Sequence, residues 1–521
     1  MNVFVWCVLR HVDPCANALA RERSDPGMSR DTYLATLRRR LAEEVGRIDK
    51  HASFRIALSY PSPYRTGMSS LGFQQIYRSV QAEPDMAADR AFLPDDEDGP
   101  RVLPLTYEQL RPLSDYPVIA LSVAYELELA GVVRLLEAAG IPALREERSL
   151  SFPFVLAGGP LTNSNPLPLA PFVDAIIMGE ADTLAVDVLR VLRDAPSREQ
   201  ALDTLAAMPH VFVPSRHGSD MPGIAQCDDD LLPAWAPIRT PDTELSNMFL
   251  IETERGCSRG CTYCVMRRST NGGMRIVPKD RVLGLIPEDA RRVGLVGAAV
   301  SDHPKIVEIV RTLAERGAEV GLSSLRPDKL TDDFVGALRL AGYRTLTTAM
   351  DGTSERVREV LDRRARIRHL TRAAELARKH GMARMKLYLM IGVPGEADED
   401  IDECVAFVSE LSKQTPLALG IAPFCPKRNT PLAGATFAGI DVVQARLERL
   451  RRGLAGRADV RSTSAKWAWV EAVLAKGGEA EGRAVLEACH AGGTFAAYKR
   501  AFEALSPAVG KRRRLQVVAP A

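Results

Sequence analysis

The sequence lacks an excess of charge of either sign. It contains 68 Lys and Arg residues against 66 Asp and Glu residues, which gives a formal net charge of +2 at pH 7. A nearly balanced chain has no whole-molecule field that would draw it to DNA, RNA or an anionic membrane. The composition therefore argues against nucleic acid as a partner.

Long apolar runs are also missing. No stretch approaches the roughly 18–20 apolar residues needed to cross a bilayer, and the short run at 3–6 lacks the basic flank of a signal peptide. Nine cysteines are too few for a disulfide scaffold in 521 residues, yet three of them fall within eight positions. This usage favours a reducing compartment, the cytoplasm, and indicates a metal or redox site.

Strand and helix patterns alternate along the first half of the chain, which is long enough for two or three domains. Apolar runs at 54–58, 118–122, 154–159 and 174–179 are separated by helical patterns. Such runs are typical of a parallel sheet covered on both faces, a Rossmann-like α/β domain, and ligands bind at the carboxyl ends of its strands. The sequence places Ser122, Gly158, Gly159, Gly179 and Glu180 at these ends.

A second alternating block follows a segment rich in Pro, Asp and Gly. Its six apolar runs lie at 248–252, 293–300, 320–325, 345–350, 385–393 and 417–424. Six βα units predict a partial (βα)6 barrel with functional residues on the loops that follow the strands. The predicted division is a lead-in over 1–53 with a helix at 33–48, an α/β domain over 54–214, a linker over 215–247, the barrel over 248–431, and a small helical cap over 432–521 with a basic tail at 511–514.

Three cysteines follow the first strand of the second block at C-x3-C-x2-C spacing: Cys257, Cys261 and Cys264. Thiolates so close together suit one soft metal centre, an Fe–S cluster or zinc. A structural zinc site needs four ligands, and the sequence contains no second C-x2-C or H-x3-H pair. A cubane iron–sulfur cluster bound by three cysteines would leave one iron open to a substrate. The alternatives are a zinc-binding loop and buried structural cysteines.

This motif resembles the signature of the radical S-adenosylmethionine (SAM) superfamily, C-x3-C-x-aromatic-C, in which Tyr263 is the aromatic residue placed near the adenine. The resemblance implies a [4Fe–4S] cluster on Cys257, Cys261 and Cys264 that chelates the amino and carboxylate groups of SAM. It also implies reductive cleavage of SAM to a 5′-deoxyadenosyl radical, with an electron donor such as flavodoxin or ferredoxin.

The resemblance extends through the barrel. Gly297 and Ala298 lie where the superfamily brings a Gly-rich edge to the methionine end of SAM, with packing of a tight turn as the alternative. Arg326 and Asp351 occupy positions where relatives place ribose- or carboxylate-binding groups, although a Met-Asp pair stands at 350–351 where many relatives have Pro-Glu. These two side chains could instead form an ion pair at the barrel mouth. The adenine side is assigned to the G-x-P-G-E turn that contains Gly392, Pro394 and Glu396.

Residues 54–195 resemble the cobalamin-binding domain fused to many radical SAM enzymes. In such domains a D-x-H-x-x-G loop supplies a histidine to cobalt, but here Ser69 stands at the histidine position and cannot ligate cobalt comparably. Two interpretations follow. The domain binds cobalamin without a protein ligand, or it is a scaffold that closes the active site. The candidate cobalamin edge comprises Ser69, Ser122, Gly158, Gly159, Gly179 and Glu180.

The sequence thus predicts a radical SAM enzyme that acts on an unidentified small-molecule or peptide substrate, with methyl transfer as the reaction if cobalamin binds. Two other functions stay open. A non-catalytic Fe–S electron carrier or sensor would use the cysteines but would not need the SAM-like turns. A methylthiotransferase acting on RNA or protein would carry further amino-terminal cluster cysteines, and Cys7 and Cys15 have no third partner nearby in the sequence.

Overall fold

The computed structural model describes residues 30–95, 102–266, 273–323 and 325–505. Cys7, Cys15 and the basic tail at 511–514 lie outside these residues. Within them the chain forms an amino-terminal parallel sheet, a partial barrel and three carboxy-terminal helices. None of the helices in the described part is long and apolar enough to span a membrane.

The amino-terminal sheet has six strands in the order β2-β1-β3-β4-β5-β6, and only the short β6 runs antiparallel to its neighbour. The strands are β1 (Phe54–Tyr60), β2 (Met86–Phe92), β3 (Val118–Ser122), β4 (Phe154–Gly158), β5 (Ala175–Ile177) and β6 (Val211–Phe212). The helices are α1 (Arg30–Ala42), α2 (Tyr64–Gly67), α3 (Leu71–Ala82), α4 (Leu129–Ala138), α5 (Leu184–Asp194), α6 (Arg198–Ala207) and α7 (Pro214–His217). The helix predicted at 33–48 is shorter than expected, because Val45 leaves it to pair with Arg239.

Both faces of this sheet are buried, which explains the unbroken apolar strands. Along β3, Ile119 and Leu121 point to one core, whereas Val118 and Ala120 point to another. Successive strand side chains face opposite sides, so a strand covered on both faces has no polar alternation. Helices α1, α3, α5 and α6 cover one face, and α4 covers part of the other.

The barrel consists of seven parallel strands in two hydrogen-bonded sheets, β11-β10-β7 and β12-β13-β14-β15. A parallel bridge between Leu325 and Thr348 joins the two sheets. The strands are β7 (Phe249–Glu252), a hairpin of β8 (Glu254–Gly256) and β9 (Met274–Ile276), β10 (Arg292–Val296), β11 (Glu319–Leu322), β12 (Thr345–Asp351), β13 (Arg384–Ile391), β14 (Leu417–Pro423) and β15 (Ala458–Ser462). The helices are α8 (Lys279–Leu285), α9 (Ile306–Glu315), α10 (Asp332–Leu340), α11 (Glu355–Val360), α12 (Ile367–Lys379), α13 (Asp398–Leu411) and α14 (Ile440–Gly453).

The predicted fold class is confirmed: the chain is an α/β protein with a Rossmann-like parallel sheet followed by a partial barrel. Strand β15 adds a seventh strand to the six that were predicted. The carboxy-terminal helices are α15 (Ala465–Lys476), α16 (Glu479–His490) and α17 (Phe495–Leu505). They bury Val470, Val485 and Phe502 in the core formed by the uncovered face of the amino-terminal sheet. The cap therefore closes the first sheet.

Candidate functional site

The three cysteines lie on a loop at the mouth of the barrel, and backbone contacts fix this loop on two sides. The loop leaves β7 through the short β8–β9 hairpin, in which Glu254 pairs with Ile276 and Gly256 with Met274. At the middle of the loop, the Thr262 amide donates to the Leu361 carbonyl (3.1 Å), and the Leu432 amide donates to the Thr262 carbonyl (3.1 Å). Backbone bonds to two later segments of the barrel thus hold the thiols in place.

The thiols are arranged more widely than a single metal ion requires. Thiolates on one tetrahedral zinc ion lie within about 4 Å of one another. Among the described residues, only one trio of His, Cys, Asp or Glu side chains has ligand atoms within 4.8 Å of one another: Glu180, Asp182 and Cys227. The two carboxylates of this trio form ion pairs with Arg255 and Arg275. The three loop cysteines therefore fit a multi-iron cluster better than zinc. Burial raises the pKa of all three thiols, that of Cys261 to about 11, and a bound metal would lower it.

The Tyr263 side chain packs between the cysteine loop and later segments of the barrel. Its ring packs in an apolar cluster with Val357, Leu361, Val393 and Phe424. Its hydroxyl is within hydrogen-bonding reach of Asp351. Asp351 in turn forms an ion pair with Arg363, and it takes a positive φ of 63° at the end of β12.

Arg326 and Asp351 do not form the ion pair that was considered as an alternative. Arg326 instead pairs with Asp302 and Asp328. These carboxylates also bind the cysteine loop, because Ser258 donates to Asp302 (2.8 Å) and Arg259 donates to Asp328 (2.8 Å). Arg326 therefore anchors the loop through two shared carboxylates, while the partner of Asp351 is Arg363.

The turn that contains Gly392, Pro394 and Glu396 is held by its own carboxylate. Glu396 is buried and accepts hydrogen bonds from the Gly392 amide (2.6 Å), the Thr353 hydroxyl (2.6 Å) and Arg446 (3.0 Å). Gly392 has a φ of +79°, which favours glycine. Glu396 thus fixes the turn against β12 and α14 and leaves little capacity for a ligand.

A cavity of about 370 Å³ lies between the barrel mouth and the carboxyl edge of the amino-terminal sheet. It brings together eight residues that were predicted from two separate motifs: Ser69, Ser122, Gly158, Gly159, Gly179, Glu180, Gly297 and Ala298. Gly159 and Gly179 have φ values of +104° and +89°, and a Cβ on either would lie less than 3 Å from a backbone oxygen. The edge is therefore shaped by exposed backbone. Tyr263, Arg326, Asp351, Gly392, Pro394 and Glu396 do not line this cavity.

An ionic network closes the seam between the two halves of the cavity. Arg255, two residues before Cys257, pairs with Glu252 (2.8 Å) and Asp182 (2.8 Å). Glu180 accepts from the Cys227 amide (2.9 Å) and pairs with Arg275. The predicted edge residue Glu180 is thus engaged in joining the sheet to the barrel.

Two buried carboxyl groups in the cavity wall were not found from the sequence. Glu254 is fully buried and contacts Gly297. Glu128 accepts from the Ala124 amide (2.6 Å), and burial raises its pKa to about 7. No motif marks either residue; the available signal was only that Glu254 lies three positions before Cys257. Ser69 is buried, and its hydroxyl donates to the Arg65 carbonyl (2.7 Å).

A sheet domain that opens onto a partial barrel with a three-cysteine loop is the architecture of an α/β-barrel protein with a candidate iron–sulfur site. Residues 72–214 match the family of radical SAM proteins, N-terminal, and residues 251–408 match the radical SAM superfamily. The two matches together span more than half of the chain. The chain belongs to the radical SAM superfamily, whose cofactors are a [4Fe–4S] cluster and SAM, and its amino-terminal domain has a cobalamin-binding-like fold.

Several known proteins are similar to this chain in sequence or in fold. An uncharacterized protein of Methanocaldococcus jannaschii is 28% identical over 384 residues, which cover 72% of this chain and 78% of that protein. The ribosomal protein uS12 methylthiotransferase RimO of Geobacter sulfurreducens is 26% identical over 204 residues, 35% of this chain and 44% of the relative. The fold resembles that of the radical SAM methyltransferase TsrM from Kitasatospora setae, solved with cobalamin and a [4Fe–4S] cluster, with a TM-score of 0.57 at 12% identity over 87% of this chain and 100% of that one.

Proposed function

We propose that this enzyme reductively cleaves SAM at a [4Fe–4S] cluster held by Cys257, Cys261 and Cys264, and that the resulting radical acts on a small-molecule or peptide substrate. The observation that carries the proposal is the anchored three-cysteine loop, which opens beside a cavity shared with the sheet edge. When bound there, the cluster supplies the electron that breaks the S–C5′ bond of SAM and yields methionine and a 5′-deoxyadenosyl radical.

The protein residues around the loop position it. Arg326 fixes Ser258 and Arg259 through Asp302 and Asp328. Tyr263, Asp351 and Arg363 support the loop from below. Gly297 and Ala298 present backbone at the cavity wall, where SAM would lie. The turn of Gly392, Pro394 and Glu396 would shape the adenine side of the SAM site from outside this cavity.

We further propose that the sheet edge binds cobalamin without a protein ligand to cobalt. Two observations support this: the edge presents glycine backbone at Gly159 and Gly179, and Ser69, at the histidine position, has its hydroxyl engaged with a carbonyl. The similar fold of TsrM, whose structure contains cobalamin, supports the binding of cobalamin. The reaction would then be transfer of a methyl group to the substrate.

The first experiment measures SAM cleavage by anaerobically reconstituted protein with SAM and dithionite. We expect 5′-deoxyadenosine from the wild type and none from Cys261→Ala. Cys425→Ala is the matched control, because Cys425 lies outside the C-x3-C-x2-C motif and its thiol donates to the Ala468 carbonyl (3.2 Å). A fully loaded cluster that fails to bind SAM would contradict the proposal and favour a non-catalytic Fe–S carrier or sensor.

The cobalamin proposal is tested on protein produced in the presence of the vitamin. We expect a corrin absorbance that co-purifies with the wild type at about one equivalent and falls in Gly158→Phe, because Gly158 lines the cavity edge and a Cβ there would meet no atom nearer than 3.7 Å. Gly223→Phe is the control, since a Cβ there would meet nothing within 4 Å and this glycine does not line the cavity. Protein that stays free of corrin under these conditions would favour the scaffold interpretation.

A further inference from the structure

Four exposed arginines follow the barrel segment that contacts the cysteine loop. They form the arginine patch: Arg364, Arg366, Arg368 and Arg372. Between positions 363 and 374 the sequence contains five arginines and no acidic residue. Arg364 pairs with the exposed Asp362 (3.1 Å). The other three form no ion pair with any residue that the structure describes. Since an exposed ion pair is weak, the positive charge of the patch is almost uncompensated.

The patch begins where the chain contacts the cluster ligands. The Cys261 thiol lies 3.9 Å from the carbonyl oxygen of Asp362, two residues before Arg364. The Thr262 hydroxyl donates to the carbonyl of Val360 (3.0 Å), a residue that is 37% exposed. Neither the loop at 257–264 nor the patch lines the cavity. A protein bound to the patch would therefore lie beside the cluster ligands without entering the space where SAM and substrate would lie.

Helix stability does not account for these arginines. Arg366 is the residue immediately before α12, and Arg368 lies in the first turn of that helix. The amino-terminal end of a helix carries a partial positive charge, so acidic side chains are favourable there and basic ones unfavourable. The first turn of α12 contains no acidic residue. The helix end thus adds to the positive potential of the patch instead of cancelling it.

His369 reports this potential. Burial lowers the pKa of its imidazole, and nearby arginine charges lower it further. These charges belong to Arg368, Arg366 and Arg259. Asp328 acts in the opposite direction, but its carboxylate is already paired with Arg259 (2.8 Å). The cysteine loop, which contains Arg259, and the start of α12 therefore share one positively charged surface.

We propose that the arginine patch is the docking surface for an acidic one-electron carrier protein that reduces the cluster. The proposal rests on the proposed function, because cleavage of SAM takes one electron from the cluster. The carrier returns it: the carrier is oxidised by one electron and the cluster is reduced by one. Complementary charge speeds the encounter of two proteins and fixes their orientation. Nucleic acid is the other polyanion to consider, but residues 362–374 contain no Phe, Tyr or Trp on which bases could stack.

The test compares two triple variants that lower the net charge equally. The patch variant is Arg366→Gln with Arg368→Gln and Arg372→Gln. The control variant is Arg451→Gln with Arg452→Gln and Arg457→Gln, which also removes three exposed arginines, at the end of α14 and in the loop that follows it. All six side chains are exposed, so both variants should fold and load the wild-type amount of iron.

The measurement is the rate of cluster reduction in the absence of SAM. Cluster-loaded protein is mixed with a photoreduced acidic flavodoxin in a stopped-flow instrument, and the loss of cluster absorbance is followed at low and at high salt. At low salt we expect the patch variant to be reduced at least about tenfold more slowly than the wild type. The control variant should keep the wild-type rate constant. High salt should slow the wild type and leave the patch variant nearly unchanged.

Reduced methyl viologen, a small cation, separates docking from damage to the cluster site. It should reduce the patch variant no more slowly than the wild type, because the removal of arginines does not repel a cation. Slower reduction of the patch variant by both reductants would place the effect in the cluster environment and overturn the proposal.

Three other results would overturn it. Flavodoxin could reduce the patch variant at the wild-type rate, the control variant could slow as much as the patch variant, or flavodoxin could fail to reduce a wild type that methyl viologen reduces. Binding of a labelled single-stranded RNA that is lost only in the patch variant, with flavodoxin reduction unchanged, would assign the patch to nucleic acid. Failure of the proposed function has a different signature: flavodoxin would reduce the cluster through the patch, yet SAM would yield no 5′-deoxyadenosine.

Discussion

At the scale of single residues, the sequence identified groups with a spacing signature and missed groups defined only by burial. The C-x3-C-x2-C spacing was sufficient to predict a cluster site at Cys257, Cys261 and Cys264, because the three cysteines lie on one loop. Arg326 was predicted as a candidate site residue, but its ion-pair partners were not. Asp302 and Asp328 come close to it together only when the barrel folds. Glu254 could not be found, because an unused buried oxygen exists only in the folded chain.

The pH dependence of stability tests the burial of Glu128. Burial raises the pKa of this carboxyl from about 4.5 to about 7. Between these values the folded state holds a proton that the unfolded state has lost, so the stabilising contribution is complete below about pH 4 and is lost as the pH rises through about 7. Glutamine does not ionise. Glu128→Gln should therefore gain stability relative to the wild type by roughly 1–3 kcal/mol between about pH 5 and about pH 8.

Urea denaturation of both proteins at these two pH values measures the change. The quantity compared is the stability difference between wild type and variant at one pH against the same difference at the other. Any effect of losing the carboxylate that does not depend on pH therefore cancels. A wild-type-to-variant difference that is the same at both pH values would show that Glu128 titrates normally in the folded protein.

At the scale of elements, strands with an unbroken apolar sequence were predicted well, whereas strands that contain charged residues were missed. Strand β3 has the predicted bounds, 118–122. Strand β2 was missed because Asp89 and Arg90 interrupt its apolar pattern, although both are buried in ion pairs with Arg55, Glu44 and Glu108. Strand β15 was missed because its polar sequence suits an edge position, where one face meets solvent.

Helix α4 provides a prediction about close packing of an element. Gly131 lies in this helix, and a Cβ there would lie 1.9 Å from the carbonyl oxygen of Pro61, in the loop after β1. Alanine is normally the better helix former by about 1 kcal/mol. Gly131→Ala should nevertheless lower stability by roughly 1–3 kcal/mol, because α4 or the loop must move.

Gly284 in α8 is the matched control, since a Cβ there would meet nothing within 4 Å. Gly284→Ala should be neutral or stabilise by up to about 1 kcal/mol. Thermal unfolding of the two variants measures the contrast. Equal effects of the two substitutions would mean that α4 does not pack on the Pro61 loop as described.

At the scale of the whole molecule, the sequence predicted the two ligand edges but not that they face each other. The edge residues Ser122 and Gly158 and the barrel residue Gly297 line one cavity. The segment 215–247 connects the sheet edge to the barrel. In it, Ala225 forms a backbone bridge with Gly179 of the sheet edge, and Trp235 forms one with Ile251 of the barrel. No periodic pattern marks this segment, so its path could not be derived from the sequence.

Lys427 joins the three parts of the molecule. It lies in the loop after β14 of the barrel and contacts Glu126 at the amino-terminal sheet (2.7 Å) and Glu471 in α15 (2.7 Å). Glu126 is only 2% exposed. Removal of the lysine leaves a buried carboxylate without its cation, so Lys427→Met should cost about 3 kcal/mol of stability.

The double variant Lys427→Met with Glu126→Gln separates lost charge pairing from lost packing. If the uncompensated carboxylate causes the loss, neutralising it should restore more than about 1 kcal/mol relative to the single variant in urea denaturation. Lys305→Met, which removes an exposed lysine paired with Glu308, should leave the unfolding midpoint unchanged. A double variant no more stable than Lys427→Met would show that the lysine stem, and not its charge, holds the sheet, the barrel and the carboxy-terminal helices together.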